Sequence, residues 1–428
     1  MITTLLIVIF VLGYIAIAFE HSLHLNKAAS ALITGVLCWT IYIMQSHSSD
    51  EVTEQLMHHL GEIASIVFFL LGAMTIVELI DSYNGFDIIT QKITTRSKMT
   101  LLFIISALTF FLSALLDNLT TAIVMTSLCS KIIFDKEHRL WFAGMIVIAA
   151  NAGGVWSPLG DVTTTMLWIG GQITAANIIK TLFLPGLAVC IVPLLIIGYR
   201  FKGSTIPKIP ESACTPKEKK EGKIILFSGV GLLLFVPLFK TITHLPPFMG
   251  MLLALGIIWI LTTIIHKTNS SGETRRFTVA NALQKIDSPS ILFFTGILLA
   301  VGALQSFGLL KELAAFLSST LKNDYLIGTT LGLLSSLVDN VPLVAASQGM
   351  YDLSAYPTDH LFWEFLALTT GTGGSAIIIG SAAGVAVMGI EKMDFMWYLK
   401  KIAWLALIGF IAGILVFLLQ AGWHSGHV

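Results

Sequence analysis

Two Asp-Asn pairs lie deep inside apolar sequence, in SALLDNLTTAIVM and in SSLVDNVPLVAAS. They are Asp117-Asn118 and Asp339-Asn340, separated by about half of the 428-residue chain. An aspartate at the centre of a membrane helix costs about 2.5–3.5 kcal/mol on insertion scales, so ionisable residues there mark functional sites. Two of them in corresponding places of two halves are typical of a secondary transporter whose ion site lies between repeats.

Oxygen-bearing side chains accompany both pairs, and hard cations prefer oxygen ligands. The two segments offer Ser113, Asp117, Asn118, Thr120, Thr121, Ser335, Asp339 and Asn340. Asp117 and Asp339 are therefore candidates for binding Na⁺ or H⁺. Pro342 stands where the first segment has Thr120, so the two sites need not be equivalent. The alternative is that each aspartate caps a helix at a hairpin turn by accepting backbone N–H groups.

Two glycine-rich stretches, 150–161 and 370–381, also correspond, with Gly153-Gly154 matching Gly373-Gly374. Adjacent glycines weaken a helix, and Pro158 removes a backbone donor from the first stretch. Irregular backbone at membrane depth is tolerated only where it is buried in protein or lines a cavity. These stretches therefore predict broken helices whose free carbonyl groups can bind a cation.

A third carboxylate, Asp161, ends the first glycine-rich stretch, and its counterpart in the second is Ser381. A carboxylate on one side only suits a single proton or ion site. The alternative is an N-cap for the helix that follows.

Three further titratable residues are candidates for the ion pathway or for a response to pH. Glu78 and Asp81 end an apolar span, where a solvated carboxylate at the membrane interface is nearly as good an explanation. His24 lies in the short loop EHSLHLNK, and histidine titrates near neutral pH. An ordinary surface loop is the alternative there.

Composition defines the class of protein. The chain is 55% hydrophobic and 12% charged, with a mean hydropathy of +0.84, which predicts an all-α polytopic membrane protein. The formal net charge is zero, which argues against nucleic acid as a partner. The four cysteines are scattered and predict neither a disulfide framework nor a metal site, and no cofactor is expected.

Charge asymmetry predicts the topology. Segments 99–133 and 325–350, which carry the Asp-Asn pairs, are of awkward length for crossing the bilayer once or twice. If both enter and leave on one side as re-entrant hairpins, most of the 25 Lys and Arg lie on the cytoplasmic side, as the positive-inside rule expects. The exceptions are Lys180, Lys240, Lys311 and Lys322. Both termini and the 46–60 loop are then outside.

This topology divides the chain into two inverted-topology repeats. Each repeat has five transmembrane helices, one of them broken, and one re-entrant helical hairpin. The first repeat, 1–199, contains the hairpin 99–133 and the broken helix 140–170. A cytoplasmic linker at 200–222 leads to the second repeat, 223–428. That repeat contains the hairpin 325–350 and the broken helix 361–390.

The stretch WFAGMIVIAANAGGVWSPLGDVTTTMLWI and both Asp-Asn segments resemble the NhaD-type Na⁺/H⁺ antiporters of the ion-transporter superfamily. The resemblance covers essentially the whole chain. It implies a homodimer in which a fixed scaffold carries a moving transport part with the hairpins. It also implies one Na⁺ or Li⁺ site at Ser113, Asp117, Asn118 and the Gly153-Gly154 backbone. A pseudo-symmetric site would involve Ser335, Asp339, Asn340 and Gly373-Gly374.

The resulting hypothesis is a sodium (lithium)/proton antiporter in a prokaryotic cytoplasmic membrane. Burial disfavours the charged form of a carboxylate and a bound cation favours it, so Na⁺ and H⁺ would compete for Asp117, Asp161 or Asp339. The first alternative is a sodium-coupled di- or tricarboxylate symporter or an arsenite-type permease on the same fold. The second is an intramembrane aspartyl protease, which the imperfect PLGD match and the repeat disfavour.

Overall fold

The described part of the chain is helical. The computed structural model describes residues 2–18, 25–45, 48–86, 95–205, 216–267, 278–337 and 339–425. Within those ranges no β-strand forms. An isolated antiparallel β-bridge joins Ser97 and Thr205. Eight described helices are long and apolar enough to cross a membrane, and the chain is a multi-pass membrane protein.

The first half contains eight described helices. They are α1 (Ile2–Ala18), α2 (Lys27–Gln45), α3 (Ser49–Ser82), α4 (Lys98–Leu116), α5 (Asn118–Ile132), α6 (Lys136–Gly154), α7 (Val162–Ile169) and α8 (Ala175–Arg200).

The second half follows a similar order with more short elements. Its helices are α9 (Pro216–Thr243), α10 (Pro247–Lys267), α11 (Val279–Lys285), α12 (Ser288–Ser306), α13 (Leu309–Leu321), α14 (Asp324–Leu334), α15 (Asn340–Met350), α16 (Leu361–Gly373), the 3₁₀ turn Ile378–Gly380, α17 (Ala382–Glu391), α18 (Phe395–Lys401) and α19 (Ala403–Ser425).

The helices pack mainly within two groups. The first group joins α1, α2, α3, α9, α10 and α12, with α2 against α12 as its most extensive contact. The second group joins α4 to α8 with α14 to α19. The groups meet chiefly where α15 packs on α12 and α7 packs on α3. A boundary with fewer contacts than either interior is where relative movement would cost least.

Both segments predicted as hairpins are pairs of helices. α4 and α5 pack together and are joined at Asp117, and α14 is followed by a turn at residues 335–337 before α15 begins at Asn340. Leu116 ends α4, which by length and composition alone could cross a membrane. The re-entrant path itself therefore stays a prediction.

At both predicted breaks the α-helix is interrupted. α6 ends at Gly154 and α7 begins at Val162, while α16 ends at Gly373 and α17 begins at Ala382. The glycines serve close packing, because a Cβ on Gly153 would overlap the carbonyl of Phe110 and one on Gly373 would overlap the carbonyl of Gly332.

One sequence expectation was wrong. Residues 49–60, predicted as part of an outside loop, form the first turns of the 34-residue helix α3. Ser48 caps this helix by accepting a hydrogen bond from the Glu51 backbone N–H, and Asp50 and Glu51 occupy its first turn. A local cap and acidic residues at the positive end of the helix dipole favour helix over loop.

A buried ion pair ties the two broken segments together. Arg139 at the start of α6 donates to Glu391 at the end of α17 over 2.5 Å, and the Glu391 side chain is only 2% exposed.

We expect Arg139→Gln to destabilise the fold by about 3–5 kcal/mol, because it leaves a buried carboxylate without its cation. Thermal midpoints in detergent check this. As a control, Glu137→Gln, which breaks a solvent-exposed pair with Arg200, should cost about 1 kcal/mol at most. Equal midpoints for both variants would contradict the argument.

Candidate ion-binding site

Asp161 is the centre of a buried polar cluster. Asn118 donates from Nδ2 to Asp161 Oδ2 over 2.7 Å, and Asn340 donates from Nδ2 to both carboxylate oxygens over 3.2 and 3.3 Å. Asp161 is 2% exposed. Both hairpin tips therefore bind the same carboxylate.

Asp161 also caps α7. Its Oδ1 accepts hydrogen bonds from the backbone N–H and the hydroxyl of Thr163, both over 2.9 Å. The predicted alternative, an N-cap for the following helix, is thus correct, but it does not account for the contacts with Asn118 and Asn340. Capping uses one carboxylate oxygen through neutral donors, and the amides of Asn118 and Asn340 supply further donors but no positive charge.

Asn151 extends the cluster and was missed by sequence reasoning. It accepts from Asn118 over 3.1 Å and donates from Nδ2 to the hydroxyls of Ser375 and Ser381 over 2.8 and 3.1 Å. Asn151 is fully buried in α6. An amide inside an otherwise apolar stretch was the signal that could have identified it.

Asp117 has a strained backbone. Its φ of 78° and ψ of 156° fall in a region that non-glycine residues rarely adopt, at a cost of about 1–3 kcal/mol. Its carboxylate accepts from the backbone N–H and the hydroxyl of Thr120, each over 2.8 Å, which caps α5. Asp339 differs, because its φ of −46° is ordinary and its side chain makes no cap hydrogen bond.

The three aspartates and both tip asparagines line one small cavity of about 40 Å³. This volume accommodates a water molecule or a small ion. The remaining described wall is mainly apolar, with Leu70 and Met74 from α3 and Phe294 from α12, and it contains no Lys or Arg. The cavity therefore lies between the two helix groups.

Within the described residues, no three His, Cys, Asp or Glu side chains are grouped closely enough to chelate a metal ion. A cation here would be shared between a carboxylate and neighbouring amide or hydroxyl oxygens. That donor set suits a hard monovalent cation.

Several predicted ligands have other contacts. Ser113 donates to the Ala150 carbonyl over 2.5 Å and Ser335 donates to the Thr370 carbonyl over 2.7 Å, and neither lines the cavity. Thr120 binds Asp117. Thr121 is fully buried, and its hydroxyl makes no hydrogen bond within the described structure. The glycine pairs pack against backbone, Gly154 against Gly160 and Gly374 against Gly380.

The pathway candidates lie away from the cavity. Glu78 is one helical turn beyond Met74 and pairs with Lys285 over 2.9 Å, and Asp81 is exposed. His24 lies outside the described residues. A further carboxylate, Glu364 in α16, is fully buried, and its Oε1 accepts from Asn177 over 2.7 Å.

Membrane-length helices around a buried carboxylate–amide cluster define an integral membrane protein with an internal polar site. A family model described as citrate transporter (CitMHS) matches residues 14–371. Sodium/proton antiporters 1 and 2 of Arabidopsis thaliana are each 46% identical to the chain, over 97% and 96% of it and 72% and 98% of their own lengths. The Na⁺/H⁺ antiporter NhaD of Vibrio cholerae is 33% identical over 96% of this chain and 91% of its own.

The chain belongs to the citrate transporter family and to the NhaD-type antiporters. It is therefore a transporter and not an enzyme.

Proposed function

We propose that the protein is a secondary active antiporter that exchanges Na⁺ or Li⁺ for H⁺. The observation that carries this proposal is the contact of both tip asparagines, Asn118 and Asn340, with the single carboxylate of Asp161. The relatives named above are sodium/proton antiporters, which supports the same ions for this chain.

Competition at one carboxylate couples the two fluxes. Asp161 binds either the cation or the proton, because a bound proton removes the charge that attracts the cation. Movement past the apolar wall is cheap only when the carboxylate is neutralised by one of them. The empty, charged site is then held back, and the ions travel in opposite directions.

Alternating access follows from two helix groups that change position relative to each other. Matching contacts in the two halves support the inverted repeat, since Ser113 bonds to the Ala150 carbonyl as Ser335 bonds to the Thr370 carbonyl. In this scheme, α4–α5 and α14–α15 enter from opposite sides of a cytoplasmic membrane with both termini outside. The protein is a homodimer held through its fixed group.

Citrate symport is the second candidate, since the family model is named for it. A citrate site needs donors that balance its negative charges, and the described cavity wall presents three carboxylates and no Lys or Arg. A cavity of about 40 Å³ also holds one small ion and not a tricarboxylate. Both observations favour a cation that travels without an anionic partner.

The test uses purified protein in liposomes with an internal pH-sensitive dye. After a pH gradient is imposed, NaCl and LiCl should dissipate it, while choline chloride should not. KCl defines the cation selectivity. Absence of a response to Na⁺ and Li⁺ in folded protein would refute antiport. Citrate uptake in the same vesicles would then support the second candidate.

A further inference from the structure

A much larger cavity, of about 540 Å³, lies beside the carboxylate cavity. Its wall carries polar side chains that the proposed exchange has not used, among them His59, Glu62, Gln172, Gln305 and Gln348. A cavity of that size with so many polar groups is suited to hold several water molecules.

Four helices, α3, α7, α12 and α15, contribute residues to the walls of both cavities. On each of them, a residue lining the large cavity lies four positions from one lining the carboxylate cavity, which is one turn of helix. These pairs are Ile66 and Leu70 in α3, Met166 and Val162 in α7, Leu298 and Phe294 in α12, and Ala345 and Val341 in α15. The large cavity thus leads along the boundary between the helix groups toward Asp161.

The wall of the large cavity contains an exposed acidic group. Glu62 is 61% exposed, and its two carboxylate oxygens lie 3.5 Å from His58 Nε2 and 3.3 Å from His59 Nδ1. His59 is itself held by Ser306, with its Nε2 3.1 Å from the hydroxyl. The described lining includes no Lys or Arg, so it attracts cations when the histidines are neutral.

The cavity belongs to one end of the molecule. Gln172 lies in the cavity wall, just before α8 begins. Its backbone carbonyl accepts a hydrogen bond from the backbone N–H of Asp359. α8 then runs for 26 residues, about 39 Å, to Arg200, which pairs with Glu137 at the opposite end. The large cavity and the start of α6 therefore lie at opposite ends of this helix.

We propose that the 540 Å³ cavity is a hydrated entry vestibule that concentrates monovalent cations next to the carboxylate site. The proposal rests on the proposed cation exchange, and it assigns Glu62 as the charge that attracts the cation. The helical turn between the two cavities separates the vestibule from Asp161.

Cysteine labelling tests the vestibule without needing transport. In a background with the four cysteines replaced by alanine, Ser65→Cys places a thiol on the vestibule wall. Thr53→Cys, exposed near the start of α3, marks the vestibule end, and Lys136→Cys marks the opposite end. Membrane-impermeant cationic and anionic thiosulfonates are added to one side at a time.

Ser65→Cys should react only from the side that labels Thr53→Cys. With both reagents at equal concentration, the ratio of the cationic to the anionic labelling rate is measured at each cysteine. This ratio should be about tenfold higher at Ser65→Cys than at Thr53→Cys, because the acidic cavity concentrates cations. Modification should reduce Na⁺-driven proton flux about tenfold at Ser65→Cys and leave it nearly unchanged at Thr53→Cys. Reaction from the Lys136 side, no reaction, or reaction with undiminished flux would overturn the proposal.

Glu62→Gln provides the second measurement. It should raise the apparent KM for Na⁺ about threefold to tenfold at low ionic strength with little change in maximal rate, since the field acts on approach. Glu54→Gln, a matched change at an exposed site outside the cavity on the same helix, should leave KM unchanged. Equal KM values in Glu62→Gln and the parent would count against the vestibule. If the parent shows no cation-driven flux, the exchange proposal fails, and the charge preference at Ser65→Cys alone decides the vestibule.

Discussion

Asp161→Asn is expected to reduce cation-driven proton flux by about 100-fold or more. The neutral amide can neither take up the exchanged proton nor attract the cation by charge at the one carboxylate that both tips contact, and a charge-assisted interaction is worth about 1.5–3 kcal/mol. The variant should still fold, because asparagine caps a helix as well as aspartate does and one amide oxygen remains to accept from Thr163. Dye-loaded liposomes with Na⁺ and Li⁺ provide the measurement.

The matched control is Asp394→Asn, the same change at the exposed N-cap of α18. It should leave flux and thermal midpoint near those of the parent. Flux in Asp161→Asn equal to the parent's would remove Asp161 from the mechanism and return the site to Asp117 or Asp339.

Competition also fixes the sign of the pH dependence. While the free site is mostly protonated, each unit rise in pH should lower the apparent KM for Na⁺ about tenfold, because one proton must leave for one cation to bind. The rise in exchange ends when deprotonation no longer limits it. An apparent KM that is independent of pH across the active range would rule out a shared site.

Sequence patterns predicted the helices well because apolar length alone identifies them. They did not predict the start of α3 at Ser49, where capping by Ser48 extends the helix through a polar segment. They also did not specify which helices belong to each of the two groups. Which apolar faces meet depends on side-chain contacts between helices far apart in the chain, such as α2 with α12.

The sequence analysis named most of the candidate residues, but it did not identify Asp161 as the residue at the centre of the cluster. The family resemblance placed Ser113 with Asp117, whereas the structure joins Asn118 to Asp161, 43 residues away. Periodicity and caps describe neighbours in sequence, so a contact between a hairpin tip and a helix break lies beyond them. The same limit hid Asn151, whose partners Ser375 and Ser381 lie in the other half.

The polar cluster is asymmetric, because one helix break carries the carboxylate of Asp161 and the other carries the hydroxyl of Ser381. Both residues cap the helix after a break, α7 and α17 respectively. Asn118 and Asn340 donate to the carboxylate at one break, whereas Asn151 donates to the hydroxyl at the other. A carboxylate at one helix break and a hydroxyl at the other make the two breaks chemically different, which is consistent with one exchange site rather than two.

Asp117 offers the sharpest separation of a structural role from a functional one. If it only caps α5, Asp117→Asn should keep its flux, because asparagine caps equally well. If its charge serves the cavity, flux should fall about 100-fold with the thermal midpoint preserved, since that factor corresponds to about 3 kcal/mol of lost interaction. We expect the second result, because the carboxylate lines the same cavity as Asp161.

Asp117→Gly extends the test to the strained backbone. Glycine adopts the φ of 78° without the penalty of about 1–3 kcal/mol and loses only a few tenths as a cap. The variant should therefore be at least as stable as the parent while lacking exchange. Asn323→Gly, at an N-cap of ordinary φ, is the control and should only lose stability. A functional Asp117→Gly would show that the strain serves the turn alone, whereas a stable, inactive variant means that the fold tolerates an unfavourable conformation in order to keep a carboxylate at the cavity.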